Sequence, residues 1–365
     1  MTKKLWSRVA VVAVTVTVAA GLAACSSGAP TGSSSAGTDT SAASPSSDAG
    51  ELAMPAPSAK LIAAAKAEGS VNWYFGLTGA SVPPIVAAFE KQYPGITVNV
   101  TSNSASFVQA QFLTEAQAGN VHADDVSVGY SIFYTQINDS GYTLPMDKVI
   151  PGFSTKYPAD YLEGGGLTGI WTATPNGFAY NHDLVPASHR PTTFKDLEDP
   201  IFKGHIVTPD PNDSITYEGI WDFLIQTLGE TGAKKIVANL QKTEYTSFPT
   251  ELAPVAAGSA WVALMAGQAT VAPLVAAGAP MTYVTPEQVT GSAYGNAVAK
   301  KAPHPNAAKL FAYWLYSAAG QKAVAGITGG GGPLVPSTLP AKFVLPNFDA
   351  AGDKDKINAL LGITS

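Results

Sequence analysis

The chain has 365 residues, 46% of them hydrophobic and 13% charged, with a formal net charge of −6 and a single cysteine. That acidic balance argues against a nucleic-acid partner, and one cysteine leaves no internal disulfide framework. A globular part of about 300 residues at this hydrophobicity can bury a large core and is expected to divide it between two lobes.

Lys3, Lys4 and Arg8 lead into the apolar run Val9–Ala24, which is too short and too interrupted for a stable membrane span and reads as an export signal over residues 1–24. The four residues "LAAC", Leu22–Cys25, resemble the lipobox of bacterial lipoproteins. The resemblance implies that Cys25 becomes a lipidated N-terminus anchoring an exported protein at the outer face of the cell membrane. Loss of the signal leaves 18 basic against 27 acidic residues, a formal charge of −9. Residues 26–50 consist only of Ser, Thr, Gly, Ala, Pro and Asp, which cannot order themselves by burial. The linker is assigned to 25–58, and 25 such residues give an r.m.s. reach of about 25–30 Å.

Order is expected from Ala59, where "AKLIAAAKAEG" reads as a helix ended by Gly69 and "VNWYF" as a strand. A helix stopped by Tyr93-Pro94-Gly95, the strand "ITVNVTS", a helix closed by Gly119-Asn120 and the strand "DDVSVGY" follow. Such alternation predicts a mostly parallel α/β sheet with helices on both faces. Ligands on such sheets bind outside the carboxyl ends of the strands, which points to the loops Gly76–Ser81 and Gly129–Ser131. A second block starts after "GGGLTGIWTATPNG", with strands in "FAYNHDL" and "HIVTPDP", a helix from about Tyr217 to Leu228 and another from about Gly232 to Gln241. "WVALMAGQA" and "APMTYVTP" resume the alternation, and "NAAKLFAYWLYSAAGQKAVAG" reads as one helix of about 20 residues.

Gly164–Gly169 matches G-x-G-x-x-G, but no apolar strand precedes it and Trp171, Thr172 and Pro175 stand where a phosphate-binding helix should start, so it reads as a loop or hinge. The five histidines have no metal-ligand spacing and read as surface or loop positions, and no metal or cofactor is expected. Asp124-Asp125, Asp210, Asp213, Glu218, Glu244 and Glu251 read as turn or cap residues, with a catalytic carboxylate pair in a secreted hydrolase as the competing possibility.

"PTTFKDLEDPIFKGHI", Pro191–Ile206, together with "AKAEGSVNWY", "FEKQYPGITV" and "APHPNAAKLFAYWLYSAAGQKA", resembles the extracellular solute-binding proteins of bacterial ABC importers, in the branch that includes the ferric-iron binders. The resemblance implies a two-lobe periplasmic-binding-protein type II fold of α/β class, not an enzyme, which as a monomer captures a small solute and hands it to a cognate permease. It implies lobe one over 59–174 and 286–320, and lobe two over 175–285 and 321–365, with crossings near Trp171–Tyr180 and Tyr283–Glu287. In lobe two it implies cleft edges at Asp210–Ser214 and Tyr245–Glu251.

The expected ligand-binding residues are Tyr74, Thr78, Gly79, Ser81, Tyr130, Ser131, Trp171, Asp213, Ser214, Tyr245, Ser247 and Thr250, an aromatic and hydroxylic set suited to a small polar organic molecule. Ferric members of the branch use tyrosine oxygens, often an adjacent pair after the segment resembling "VAAGSAWVALMAGQA". None of the 14 tyrosines here is adjacent to another, which makes ferric iron the alternative reading. Anion capture by bidentate arginine is not expected either, because Arg190 is the only arginine outside the signal.

Overall fold

Ser58 starts the first helix: its Oγ accepts the Leu61 amide at 3.2 Å, and Gly69 closes α1 (Ala59–Glu68) in the left-handed conformation. The structure, a computed structural model, describes residues 54–77, 79–129, 132–164, 166–242, 247–335, 339–347 and 354–362. The signal, Cys25 and all of the linker before Met54 lie outside the described residues; Met54 itself packs against the first core.

The chain then alternates as expected through β1 (Ser70–Phe75), α2 (Val82–Gln92), β2 (Thr97–Ser102), α3 (Ala105–Ala118) and β3 (Asp125–Ser127). α4 (Phe133–Asp139), β4 (Thr143–Leu144), α5 (Met146–Val149) and α6 (Phe153–Lys156) follow. β1 pairs in parallel with β2 on one side and β3 on the other, so all three carboxyl ends open on one edge. One face of this sheet carries Trp73 and Phe75, stacked at 4.1 Å, against α2; the other carries Tyr74 and Val126 against α3 and α4. Alternation along β1 thus feeds two cores from one strand.

β5 (Leu162–Glu163) and β6 (Thr168–Pro175) form a short antiparallel pair, with Gly164 and Gly166 between them in the left-handed region. β6 continues through Asn176 into β7 (Gly177–Asn181), the first crossing. The second block is built from β8 (Ile206–Val207), α7 (Ile215–Ala238), α8 (Phe248–Ala256), β9 (Val262–Ala266), α9 (Gln268–Ala276) and β10 (Met281–Val284). Its sheet runs β10-β7-β9-β8, with only β8–β9 parallel, a correction to the mostly parallel sheet expected. A chain that enters the lobe on one crossing and leaves on another must place those two strands side by side and opposed. α7 is two helices joined at Gly229, whose φ of 72° and ψ of 164° break the rod where two helices were expected.

The return passes through β11 (Gln288–Val289), β12 (Gly291–Gly295) and β13 (Ala297–Ala299). β12 pairs antiparallel with β6, and β13 inserts between β3 and β4, giving the first sheet the order β2-β1-β3-β13-β4. α10 (Pro305–Leu315) and α11 (Ala318–Thr328) are two helices where one of about 20 residues was expected. Ser317 interrupts the run by capping α11, its Oγ accepting the Gly320 amide at 3.0 Å, and a Cβ at Gly320 would fall on the Trp314 carbonyl oxygen. Val324 of α11 lies in the core of Trp73 and Phe311, so residues 321–328 pack with the first sheet and not with the second as expected. Beyond them Gly331 bonds Ala173 of β6, β14 (Lys342–Phe343) pairs with β11, and α12 (Lys354–Leu361) packs on α7.

The histidine expected at the surface near α10 is instead a clamp. Asp124, fully buried, accepts the His304 amide at 2.6 Å, the His304 ring Nδ1 at 2.8 Å and the Asn72 amide at 2.7 Å. Beside it Asp125 is also buried, with Asn296 donating to Oδ1 at 2.7 Å and no partner for Oδ2 among the described residues. Burial pushes the Asp125 carboxyl well above the usual carboxylate range; Asn296 opposes the rise and the Asp124 charge adds to it. A carboxyl raised on folding binds its proton more tightly in the native state, so its contribution to stability is present at low pH and is lost as pH rises above the ordinary carboxylate value. Asp125→Asn is therefore expected to flatten this fall by up to about 1.4 kcal/mol per pH unit. Urea unfolding of both proteins between pH 5 and 8 measures it, and parallel curves would refute it.

Candidate ligand cleft

The carboxyl ends of β1 and β3 define one edge, closed by β12. Gly129 bridges Tyr294, and the Tyr294 ring meets that of Phe75 edge-on at 5.6 Å. On the other side the loop after β8 leads into the first turn of α7, which contacts β12. Tyr217 in that turn is nearly buried, and its hydroxyl helps to hold Tyr294 protonated: burial raises the Tyr294 pKa most, Tyr217 adds, and a hydrogen bond with Ser292 opposes. Asn176 in the first crossing donates to Ser292 Oγ at 2.9 Å, and its own amide bonds the Thr290 carbonyl at 3.0 Å. The crossings are thus pinned to each other by polar side chains facing the tyrosine pair.

A cavity of about 240 Å³ opens at the crossings, between Pro175, Tyr283 and Thr285, with Gln268 at the start of α9, Gly329 and Pro340. The Tyr283 hydroxyl donates to the Pro175 carbonyl at 3.2 Å. Gly177 and Gly291 sit where these strands touch: a Cβ on either would fall on the carbonyl oxygen of Val284 or Thr174. The chain therefore has glycine where its two crossing strands approach most closely.

Of the expected ligand-binding residues, Thr78, Tyr130, Ser131 and Tyr245 lie outside the described residues. Gly79 and Ser81 stand at the carboxyl edge of β1, where Gly79 takes a φ of 109° and its carbonyl accepts the Val82 amide at 3.3 Å. Asp213 and Ser214 begin α7; Ser214 Oγ accepts the Thr216 amide at 3.2 Å, and the exposed Asp213 carboxyl is raised by partial burial and by Asp210. Ser247 and Thr250 cap α8 together, the Ser247 amide donating to Thr250 Oγ1 at 3.1 Å.

Two expectations are corrected. Tyr74 faces the α3 core: its hydroxyl donates to Glu115 at 2.8 Å and accepts from Gln111 at 2.8 Å. Trp171 is fully buried beside Trp73 and Phe75, its Nε1 donating to the Gly295 carbonyl at 3.0 Å. Both alternate to the sheet faces, so being near a strand end did not bring them to the edge. Asp210 caps its own turn, accepting the Asn212 amide at 2.8 Å, whereas Glu251 is buried in the first turn of α8; they do not share an environment suited to paired acid–base work. Tyr217, Tyr294 and Gln268 are not among the expected ligand-binding residues. The strand-end rule could have reached Tyr217, seven residues after Asp210, but Tyr294 depends on the pairing of β12 with β6, which carries no local sequence signal.

Among the described residues no group of three His, Cys, Asp or Glu side chains is placed to hold a metal ion, and no helix is long and apolar enough to cross a membrane. A search of curated protein sequences finds no match. In fold the chain is similar to a substrate-binding protein of an ABC transporter from Agrobacterium tumefaciens, at 16% identity and a TM-score of 0.67 over 81% of this chain and 96% of that one. It is also similar to iron-bound HitA from Pseudomonas aeruginosa, at 19% identity and a TM-score of 0.61 over 80% and 98%. AfuA from Actinobacillus pleuropneumoniae, with fructose-6-phosphate bound, gives 23% identity and a TM-score of 0.57 over 80% and 97%. The family model described as bacterial extracellular solute-binding protein matches residues 84–348, most of the two-lobe region, and the chain belongs to that family.

Proposed function

We propose that the chain is the capture component of an ABC importer: it binds a small polar organic solute between its lobes and delivers it to a membrane permease, with no chemistry of its own. The observation that carries the reading is the facing of Tyr294 on β12 by Tyr217 on α7, at an edge where the first sheet's strand ends meet the second block. Lobe one is taken as residues 59–174 with 286–328, and lobe two as 175–285 with the tail from 339. Export and lipidation at Cys25 would keep the binding unit tethered outside the cell membrane by the 25–58 linker.

Closure then works as a population shift, since a solute touching both lobes stabilises the closed state only by its differential affinity for it. The structures of these neighbours hold different cargoes, iron in HitA and fructose-6-phosphate in AfuA, so cargo does not follow from the fold. Native mass spectrometry of protein purified without denaturation tests the reading, and a stoichiometric organic adduct released on denaturation is the expected result. An iron mass with a visible charge-transfer band would replace the organic solute by ferric ion. An empty protein that also fails to respond in a broad thermal-shift panel would overturn capture altogether.

A further inference from the structure

Building on the capture reading, we propose that the captured solute is a neutral polyhydroxylated compound, a small sugar or polyol without a charged group, seated in the cavity at the crossings. That cavity lies where the two lobes meet. Its wall takes Pro175 from one crossing, Tyr283 and Thr285 from the other, Gln268 from the carboxyl edge of β9 and Gly329 from the end of α11. α9 and α11 touch, so elements of both lobes enclose one volume. Its 240 Å³ correspond to about eight waters at ~30 Å³ each, room for one small ring and not for an oligomer.

This wall is uncharged. The one ionisable side chain on it is Tyr283, which burial holds protonated. Residues 168–181 contain no Asp, Glu, Lys, Arg or His, and from Leu252 to Asn296 the chain has Glu287 alone, exposed and neutralised by Lys342 at 2.9 Å. Three other carboxyls of the second block lie off the wall. Asp213 is exposed, and Glu218 faces Lys354 at 3.8 Å. Glu251 is fully buried with no partner for either oxygen among the described residues, and burial holds it as the neutral acid. A charged solute would be desolvated in the cavity without a counter-charge, a cost that a neutral one does not meet.

The start of α9 does not stand in for a cation, as helix starts do in many anion sites. The Gln268 backbone faces the Tyr283 hydroxyl, and the Gly267 carbonyl takes the amides of Thr270 and Val271.

The polar groups on the wall match hydroxyls. Tyr283 spends its proton on the Pro175 carbonyl at 3.2 Å, and the Thr285 hydroxyl faces the Tyr283 oxygen, which leaves Thr285 as an acceptor. The Gln268 carboxamide, with two donors and an acceptor, is kept bare: a Cβ on Gly329 would lie 2.8 Å from its Oε1. A Cβ on the next residue, Gly330, would fall on the Ala173 carbonyl oxygen and within 2.7 Å of Thr174 Oγ1. Two consecutive glycines thus uncover polar groups that any side chain would block. Thr174 stands directly opposite Ser292, and Thr172 opposite Tyr294, so one face of the crossing strands is a row of hydroxyls leading from Pro175 to the tyrosine edge. An ether or carbonyl only accepts and an ammonium only donates. A hydroxyl donates to Thr285 and both donates to and accepts from Gln268, while Pro175 and Leu339 supply apolar contact for the carbon frame.

Isothermal titration of the intact purified chain with glucose, ribose, myo-inositol and glycerol, and with fructose-6-phosphate, gluconate and choline as charged counterparts, tests the proposal. A neutral probe is expected to bind at least about 100-fold more tightly than every charged one, with an affinity that changes by less than about twofold between about 50 and about 500 mM NaCl. A neutral sugar or polyol released from the natively purified protein supports it equally. Gln268→Leu and Thr285→Val remove polar atoms from exposed side chains of nearly the same size. Each is expected to keep the melting temperature within about 2 °C and to lose at least about tenfold in affinity for the neutral solute. Tightest binding of a charged probe, a co-purified adduct that is charged or lacks hydroxyls, or unchanged affinity in either variant would overturn the proposal while leaving capture standing. Silence from every probe together with an empty native mass spectrum would remove capture, and this inference with it.

Discussion

Trp171→Ala is expected to destabilise the protein by about 3–5 kcal/mol, the range for deleting a fully buried large aromatic side chain. Trp171 touches Trp73 and Phe75 of β1, and its Nε1 holds the Gly295 carbonyl at 3.0 Å at the end of β12. The loss has two parts, a cavity among aromatic rings and an unsatisfied carbonyl between the two crossing strands. A shift of the urea midpoint at unchanged slope would register it. A loss below about 1 kcal/mol would mean that Trp171 is not packed as described and would reopen a role at the cleft.

Asp124→Ala is expected to cost about as much, about 3–5 kcal/mol, by a different route. Its carboxylate accepts two backbone amides and the His304 ring, joining β1 and β3 to the start of α10 across 180 residues of sequence. Removing it strands two half-buried N–H groups and frees the histidine, and truncating one member of a hydrogen-bonded set centred on a buried carboxylate falls in this range. Ser70, whose Oγ lies 3.2 Å from His304 Nε2, closes the cluster from its half-buried side. Ser70→Ala should change stability by no more than about 0.5 kcal/mol, as for other substitutions away from a buried network. Serine, histidine and aspartate here stand in the order of a hydrolytic relay, but Ser70 is at the amino end of β1, the edge opposite the cleft, and two further amides occupy the carboxylate. Equal effects of the two variants on urea unfolding would contradict the clamp.

Local chemistry made the first lobe legible. Gly69 and Gly119 end their helices in the left-handed conformation, Ser58 and Ser104 start theirs, and the branched and aromatic runs at β1 and β2 form parallel neighbours. Helix breaks set by packing were less visible. The stretch from Pro305 to Thr328 is apolar enough for one helix, and only the contact of Gly320 with the Trp314 carbonyl and the Ser317 cap make it two.

The same division runs through the site. Tyr74 and Trp171 have the composition of cleft residues, yet period-two alternation in β1 and β6 turns both into cores. Tyr294 enters the cleft because β12 pairs with β6 in one register, Gly291 opposite Pro175 and Ser292 opposite Thr174. A one-residue slip would bury its ring on the opposite face.

By itself the sequence determined the class of the fold, the alternation of the first lobe, the resemblance to solute-binding proteins and the single arginine outside the signal. These are properties of short segments and of composition, fixed by propensity, capping and charge. Only the tertiary structure decided which aromatic side chains face the cleft, where Glu251 is stranded and how Asp124 meets His304. Those depend on strand register and on contacts between separate elements, 180 positions apart for Asp124 and His304, which no local window of sequence contains.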